Sequence, residues 1–328
     1  MTNTKNPQAL HQNSCVTKKV ILAEPRGFCA GVRRAISIVE EALNKFGAPV
    51  YVRKEIVHNH YVVRSLEQRG AIFVDSEEEV PTGAVCVFSA HGVSPAVRSN
   101  AADRELDVID ATCPLVSKVH QEARRYARDG KTILLIGHAE HEEVEGTFGE
   151  APERTIIVED VEAVARLDLA PDANIGYLSQ TTLSLDETSG IIDALHERFP
   201  SLDGPAKSDI CYASQNRQNA VKAIAARSEL VLVVGSTNSS NSIRMVEVVR
   251  GLGTAAHLVP EVGDLDPAWL EGVTSVGVSA GASAPEILVE QVLERLTELG
   301  YTGLEIESSA VETEVFGLPA SLTARTGR

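Results

Sequence analysis

Two hydrophobic patterns alternate along this chain. Compact apolar runs, such as those in KKVILAE, KTILLIG and LVLVVG, read as strands. Between them lie longer stretches whose apolar residues recur at helical spacing, among them AGVRRAISIVEEALNKFG, PLVSKVHQEARRYARDG and YASQNRQNAVKAIAARS. Pro114 at a first helical position, with Gly47 and Gly130 as stops, matches ordinary helix punctuation. Strands alternating with helices predict parallel sheets and therefore an α/β fold.

The alternation repeats three times. In KKVILAEPRGFC, LDVIDATC and KSDIC an apolar, strand-like run leads to a cysteine at the start of a predicted helix. The next strand in each copy ends in polar residues, in PVYVRKEIVHNH, KTILLIGHAEHEEVEG and LVLVVGSTNSSNS. His58 lies 29 residues after Cys29, His141 lies 28 after Cys113, and Ser239 lies 28 after Cys211. A third strand, in GAVCVFSAHGV, ANIGYLSQTT and VTSVGVSAGASAP, ends at His91, Thr181 and Ser283, which follow their cysteines by 62, 68 and 72 residues.

Three copies of one α/β unit account for these offsets, with boundaries near 20–113, 114–207 and 208–304, a polar leader 1–19 and a tail 305–328 of little periodicity that is expected to be flexible. In open parallel sheets, ligands bind beyond the carboxyl ends of the strands. Small parallel sheets arranged as a trefoil about a pseudo-threefold axis, those ends inward, would bring Cys29, Cys113 and Cys211 together at the centre. The polar clusters would line the same cavity.

Composition sharpens this picture. A chain of 328 residues is long enough for two or three units able to bury a metal centre. With 30 basic against 46 acidic residues the net charge is −16, which opposes attraction to nucleic acid or anionic membranes. An anionic substrate would need its own local donors. No apolar stretch approaches the roughly 20 residues that span a bilayer, and the start MTNTKNPQALHQNS lacks the apolar region of a secretory signal. The expectation is a cytoplasmic protein with neither nucleic acid nor membrane as partner.

Five cysteines without a C-x-x-C pair do not suggest a disulfide framework. Cys15 reads as a tail thiol and Cys86, in AVCVF, as a core thiol. Three thiolates gathered from distant segments suit a soft metal centre, either zinc or an iron-sulfur cluster bound through three of its irons. Zinc would support hydrolysis but no redox step; spacing does not choose between them.

His58, His91 and His141 stand in strand-terminal loops beside Gln180, Thr181, Ser239, Ser240, Asn241 and Ser283. Neutral imidazole, hydroxyl and amide donors of this kind can bind a diphosphate without a lysine, aided by helix N-termini. The run GHAEHEEVEG, with His138, His141, Glu142, Glu143 and Glu145, allows three readings: a hard metal site, although its spacing is not H-E-x-x-H; an acidic surface turn; or a carboxyl held over the substrate as proton donor. GLGTAA has the letters of a dinucleotide fingerprint but follows a helix and precedes a strand, so it reads as a helix stop. Without a nucleotide site, electrons for a redox step must come from another protein. A metal-dependent phosphate-ester hydrolase and a non-catalytic ligand binder remain as alternatives.

The motifs AEPRGFCAGVRRAI, EIVHNHYVV, FSAHGVS, DATCPLVSKVH, GHAEHEEVEG, SQTT, CYASQNRQ, GSTNSSNS and AGASAPEILV occur in one order from about Val20 to Leu304. Together they resemble the 4-hydroxy-3-methylbut-2-enyl diphosphate reductase family, LytB/IspH. The resemblance implies a three-unit trefoil around one [4Fe-4S] cluster per chain, and the last step of the non-mevalonate isoprenoid pathway. That step removes an allylic hydroxyl with two electrons and protons to give isopentenyl and dimethylallyl diphosphates. It implies Cys29, Cys113 and Cys211 as cluster ligands. His58, His91, His141, Ser239, Ser240, Asn241 and Ser283 would hold the diphosphate, Thr181 would sit near the hydroxyl, and Glu143 would relay the proton. Ferredoxin or flavodoxin would be the electron donor. Two departures stand out: Glu142 occupies a position where the family commonly has proline, and the polar leader before Lys18 is an addition.

Overall fold

The computed structural model describes residues 17–323. Among these, twelve strands form three sheets: β1 (Lys19–Glu24), β2 (Val50–Arg53), β3 (Ala71–Val74), β4 (Val85–Phe88), β5 (Asp107–Asp110), β6 (Thr132–Ile136), β7 (Thr155–Val158), β8 (Ile175–Ser179), β9 (Leu230–Val234), β10 (Ala255–Val259), β11 (Ser275–Ala280) and β12 (Gly303–Ser308). The strand orders are β3-β2-β4-β5, β7-β6-β8 and β10-β9-β11-β1-β12. Every pairing is parallel.

The repeat expected from the sequence is visible in these orders. In each sheet the strand that follows a cysteine-headed helix lies in the middle, flanked by the next two strands of its unit: β3-β2-β4, β7-β6-β8 and β10-β9-β11. Parallel strands covered by helices on both faces must be apolar on both, and β9 shows it. Leu230, Leu232 and Val234 pack into one core with Val276, Val278 and Leu288, while Val231 and Val233 pack into another with Ala220, Met245 and Val249. The helix Ala30–Phe46 buries Val32, Ala35, Ile38, Val39, Ala42 and Leu43 along one stripe and ends at Gly47, whose φ of 78° a side chain would disfavour. Pro114 opens the helix Pro114–Arg128, as predicted.

Three expectations change. First, β1, expected to open the first unit, lies in the third sheet between β11 and β12. It is the counterpart of β5, which lies beside β4 and leads to Cys113, so the segment entering each cysteine joins the sheet of the preceding unit. For the first cysteine the preceding unit is the last in the chain, which closes the ring of three.

Second, KSDIC is not a strand. With Ile210 as its one large apolar residue, it makes only an isolated bridge upstream, Asp203 to Gly176 of β8. The Asp209 carboxylate replaces strand pairing by accepting from Ser179 N at 3.2 Å and meeting Lys118 Nζ at 3.2 Å.

Third, the tail as far as Thr323 is fastened rather than loose. The Glu312 carboxylate answers the fully buried guanidinium of Arg217 at 2.8 Å, Arg34 Nε donates to Gly317 O at 2.9 Å, and Leu318 and Leu322 pack on the first unit's core. Aperiodic sequence hid this, because single polar contacts hold the segment. The leader up to Val16, with Cys15, and residues 324–328 lie outside the described residues. No helix among those described is long and apolar enough to cross a membrane.

Candidate active site

Each of the three cysteines is the residue before a helix: Cys29 before Ala30–Phe46, Cys113 before Pro114–Arg128, and Cys211 before Tyr212–Ala225. Their backbone N–H groups donate to Ala282 O (3.1 Å), Ala90 O (2.9 Å) and Thr181 O (3.0 Å) respectively. Each cysteine therefore hangs from the strand-terminal loop of the preceding unit, beside or at Ser283, His91 and Thr181. The parallel layout of the sheets delivers both partners to the same carboxyl-terminal edge.

The thiols lie close together. A Cβ on Gly31 would fall 2.8 Å from Cys113 Sγ and 3.8 Å from Cys29 Sγ, so the absence of a side chain there keeps the space between them free. Cys29 Sγ accepts from Val32 N, and Cys211 Sγ accepts from Ser214 N and lies 3.1 Å from Ser214 Oγ. Burial pushes the Cys113 thiol up to about 12, with Cys29 and Cys211 adding to the shift; burial and then Cys29 push Cys211 up to about 11. Clustered buried thiols ionise only beside a cation, and three helix N-termini favour the thiolate form. This donor set fits a soft metal centre.

The polar side chains are gathered by the same edges. The His58 and His91 rings stack with centroids 4.0 Å apart, and the His141 ring stands edge-on to them at 5.5 and 5.9 Å. His141 caps the helix Glu142–Phe148, its Nδ1 accepting from Glu143 N at 3.1 Å. Burial, with His91 and His58 nearby, pushes His141 down to about 3, so this ring is neutral. Ser239 caps the helix Ser240–Gly251, and its hydroxyl lies 3.4 Å from that of Ser283, which donates to His58 O. Asn241 Oδ1 accepts from Ala282 N at 2.7 Å, fixing its amide against the loop that holds Cys29.

Glu143 is 2% exposed and turns inward. Its carboxyl accepts from Thr181 N at 2.6 Å and from Thr181 Oγ1 at 3.2 Å. Burial raises its pKa, the two Thr181 bonds lower it, and the balance is about 7. A carboxyl poised there both holds and releases a proton near neutrality.

Cys29, Cys113, Cys211, His58, His91, His141, Glu143, Thr181, Ser239, Ser240, Asn241 and Ser283 all line one cavity. Among the described residues no lysine or arginine lines it, so an anion there would meet imidazoles, hydroxyls, an amide and helix N-termini. Gln180 sits behind, donating to Thr182 Oγ1 and Ser240 Oγ. The acidic loop keeps Ala139, Glu140 and Glu145 at the surface but turns Glu143 inward, and it does not form a metal site of its own. His141 caps, Glu142 meets His91 at 2.9 Å, Glu143 points inward and Glu145 faces Arg53 at 3.7 Å, so its members diverge.

Among the lining residues that sequence reasoning did not name, three carry polar or aromatic groups near the cysteines or from the tail. Tyr212 and Ser214 follow Cys211 directly, and their place in the first turn of its helix was a usable signal. Phe316 comes from the aperiodic tail, where no pattern pointed to the cavity.

Fold and site together define the class: a three-lobed parallel α/β enzyme whose cavity lies where the lobes meet. The chain belongs to the LytB family, whose model, described as LytB protein, matches residues 20–297. It is 60% identical over 306 residues to the 4-hydroxy-3-methylbut-2-enyl diphosphate reductase of Nocardia farcinica, covering 93% of this chain and 91% of that one. It is 59% identical to 4-hydroxy-3-methylbut-2-enyl diphosphate reductase 2 of Mycobacterium tuberculosis H37Rv, with the same coverage. The solved E-1-hydroxy-2-methyl-but-2-enyl-4-diphosphate reductase of Plasmodium falciparum matches with a TM-score of 0.91 at 40% identity, covering 94% of this chain and 97% of its own. A second solved reductase, described as the terminal enzyme of the non-mevalonate pathway, matches at 0.61 and 31% identity, covering 86% and 99%. These relatives are reductases, and none supports the hydrolase alternative.

Proposed function

We propose that this chain reduces 4-hydroxy-3-methylbut-2-enyl diphosphate to isopentenyl and dimethylallyl diphosphates, the terminal step of the non-mevalonate pathway. The observation that carries the reading is the convergence of three helix-heading cysteines and a set of oxyanion donors on one cavity, with the Glu143 carboxyl among them. The reaction consumes two electrons and two protons, breaks the allylic C–O bond and releases water.

Cys29, Cys113 and Cys211 would hold a [4Fe-4S] cluster; the approach of Cys29 and Cys113 across Gly31, the cavity all three share and their helix N-termini support that assignment. When bound, the cluster supplies electrons and a Lewis-acidic iron without a protein thiolate. His58, His91, His141, Ser239, Ser240, Asn241 and Ser283 anchor the diphosphate, which does not react. Thr181 faces the substrate hydroxyl, and its own N–H and O–H hold the Glu143 carboxyl in place. Glu143 donates the proton, and a pKa of about 7 keeps much of it protonated at neutral pH. Ferredoxin or flavodoxin delivers the electrons, and the reaction takes place in the cytoplasm.

Anaerobic incubation of the purified protein with substrate and a reduced low-potential donor tests this reading. Both C5 diphosphates should form, with no free phosphate. Phosphate release without a reductant would instead mark a hydrolase.

A further inference from the structure

The three histidines of the cavity are held by different partners, and the partners decide which ring nitrogen carries a proton. His141 Nδ1 accepts from the backbone N–H of Glu143 at 3.1 Å, so the neutral ring carries its proton on Nε2 and is already a donor. His91 and His58 are turned the other way. His91 Nδ1 lies 2.9 Å from Glu142 Oε2, a buried oxygen that receives no aligned hydrogen bond, and 3.3 Å from Ser89 Oγ. His58 Nδ1 lies 3.3 Å from Glu55 Oε2, which also accepts from Asn238 Nδ2 at 2.8 Å.

A carboxylate beside Nδ1 favours the proton there over a lone pair facing the negative oxygen. It leaves Nε2, the remaining ring nitrogen, as a lone pair. Both rings line the cavity, and a lone pair repels the oxygens of a diphosphate. His58 and His91 become donors to an anion only by gaining a second proton, and each then sits as a cation between a protein carboxylate and the ligand.

We propose that diphosphate binding is coupled to proton uptake at His58 and His91, with Glu55 and Glu142 as the positioning carboxylates that make this possible. The inference rests on the cavity being a diphosphate site, as proposed above. It explains how a cavity lined by no lysine or arginine among the described residues neutralises so highly charged a ligand: its cations are made when the ligand arrives.

The surroundings agree. Burial and the neighbouring His58 hold His91 below its ordinary pKa despite Glu142, so it is neutral before ligand enters. Burial alone would raise the carboxyls of Glu142 and Glu55, but the histidine contacts outweigh it and hold both below their ordinary values, hence ionised. The other titratable groups nearby are His141, His138 and Glu143, across the cavity Cys29, Cys113, Cys211 and Tyr212, and on the outer side His60, whose Nδ1 is 3.5 Å from Glu55 Oε1. Glu55, His58 and Glu142 also border a second, more open pocket with Lys54, Asp75, Glu79 and Asn238.

The test is calorimetric titration of the holoprotein with isopentenyl diphosphate, in buffers of different ionisation enthalpy, at a mildly alkaline pH where the ligand is fully ionised. The expected result is net uptake of roughly one proton per histidine, with affinity falling as pH rises. Measured in a Glu143→Gln background, which removes that carboxyl's own uptake, Glu142→Gln and Glu55→Gln should each reduce the uptake and weaken binding about ten-fold. Binding with a heat independent of buffer, or uptake unchanged in both carboxamide variants, would overturn the inference. So would binding that depends on zinc and is abolished by a chelator, since His58, His91 and Glu142 offer ligand atoms within 4.8 Å of one another. Absence of any binding to the wild-type protein would instead refute the diphosphate site itself.

Discussion

The cysteines and the polar side chains of the cavity occupy equivalent addresses in three units, yet they are chosen by different rules. Every unit supplies a cysteine that precedes a helix and hangs by its N–H from a neighbouring loop. After the central strands the corresponding residues are His58, His141 and Ser239, and after the third strands they are His91, Thr181 and Ser283. The proposed centre, needing three like ligands, would preserve the symmetry of the repeat. The proposed substrate, with a diphosphate at one end and a hydroxyl at the other, would require that symmetry to be broken.

The largest effect should come from removing one of the like ligands. Cys113→Ser should abolish the visible absorption of the anaerobic protein and reduce turnover by more than the roughly 100-fold that even outer-shell changes cost a metal site. Iron analysis and a reductant-driven assay read both effects. Equal loss in Cys29→Ser and Cys211→Ser would show that the three are equivalent.

On the asymmetric side, Glu143→Gln should keep colour and ligand binding but lose about 10²–10⁴-fold in turnover, the range for a general acid. In the wild type the protonated form of Glu143 disappears as pH rises through about 7, so turnover should decline on that limb and lose the dependence in the variant. A pH–rate profile unaltered by the substitution would remove Glu143 from the proton path.

A smaller change is expected at Ser283. Its hydroxyl donates to His58 O and lies near Ser239 Oγ, so Ser283→Ala should raise KM about ten-fold with little change in kcat, as loss of one anchoring hydrogen bond predicts. Steady-state kinetics separate the two. Least of all should follow from Cys86→Ala. That thiol is fully buried within β4, away from the cavity, and burial pushes it up to about 12. Its loss should cost about 1 kcal/mol in chemical denaturation and leave colour and turnover intact.

Much of the fold and of the cavity is legible in the amino-acid sequence, for physical reasons that differ by element. Parallel strands buried on both faces write themselves as apolar runs, and the constant spacing from Cys29 to His58, Cys113 to His141 and Cys211 to Ser239 exposes the repeat. What stays hidden lacks a period. β1 joins the third sheet because the ring of units closes across the chain ends, a fact of topology that spacing does not encode. The tail is held by Arg217 with Glu312 and by Arg34 with Gly317, single contacts between distant positions. The pairing of Glu142 with His91 joins two units and is equally invisible, although Glu142 itself stands out as a departure from the resembling family.

Whether the three thiols hold a cluster is decided by iron and acid-labile sulfide per chain in protein purified without oxygen, compared with Cys113→Ser prepared in parallel. About four of each in the wild type, and a collapse of both in the variant, is the expected result for a cluster held by the three thiols. Stoichiometric zinc without sulfide, or an iron and sulfide content indifferent to Cys113, would contradict it.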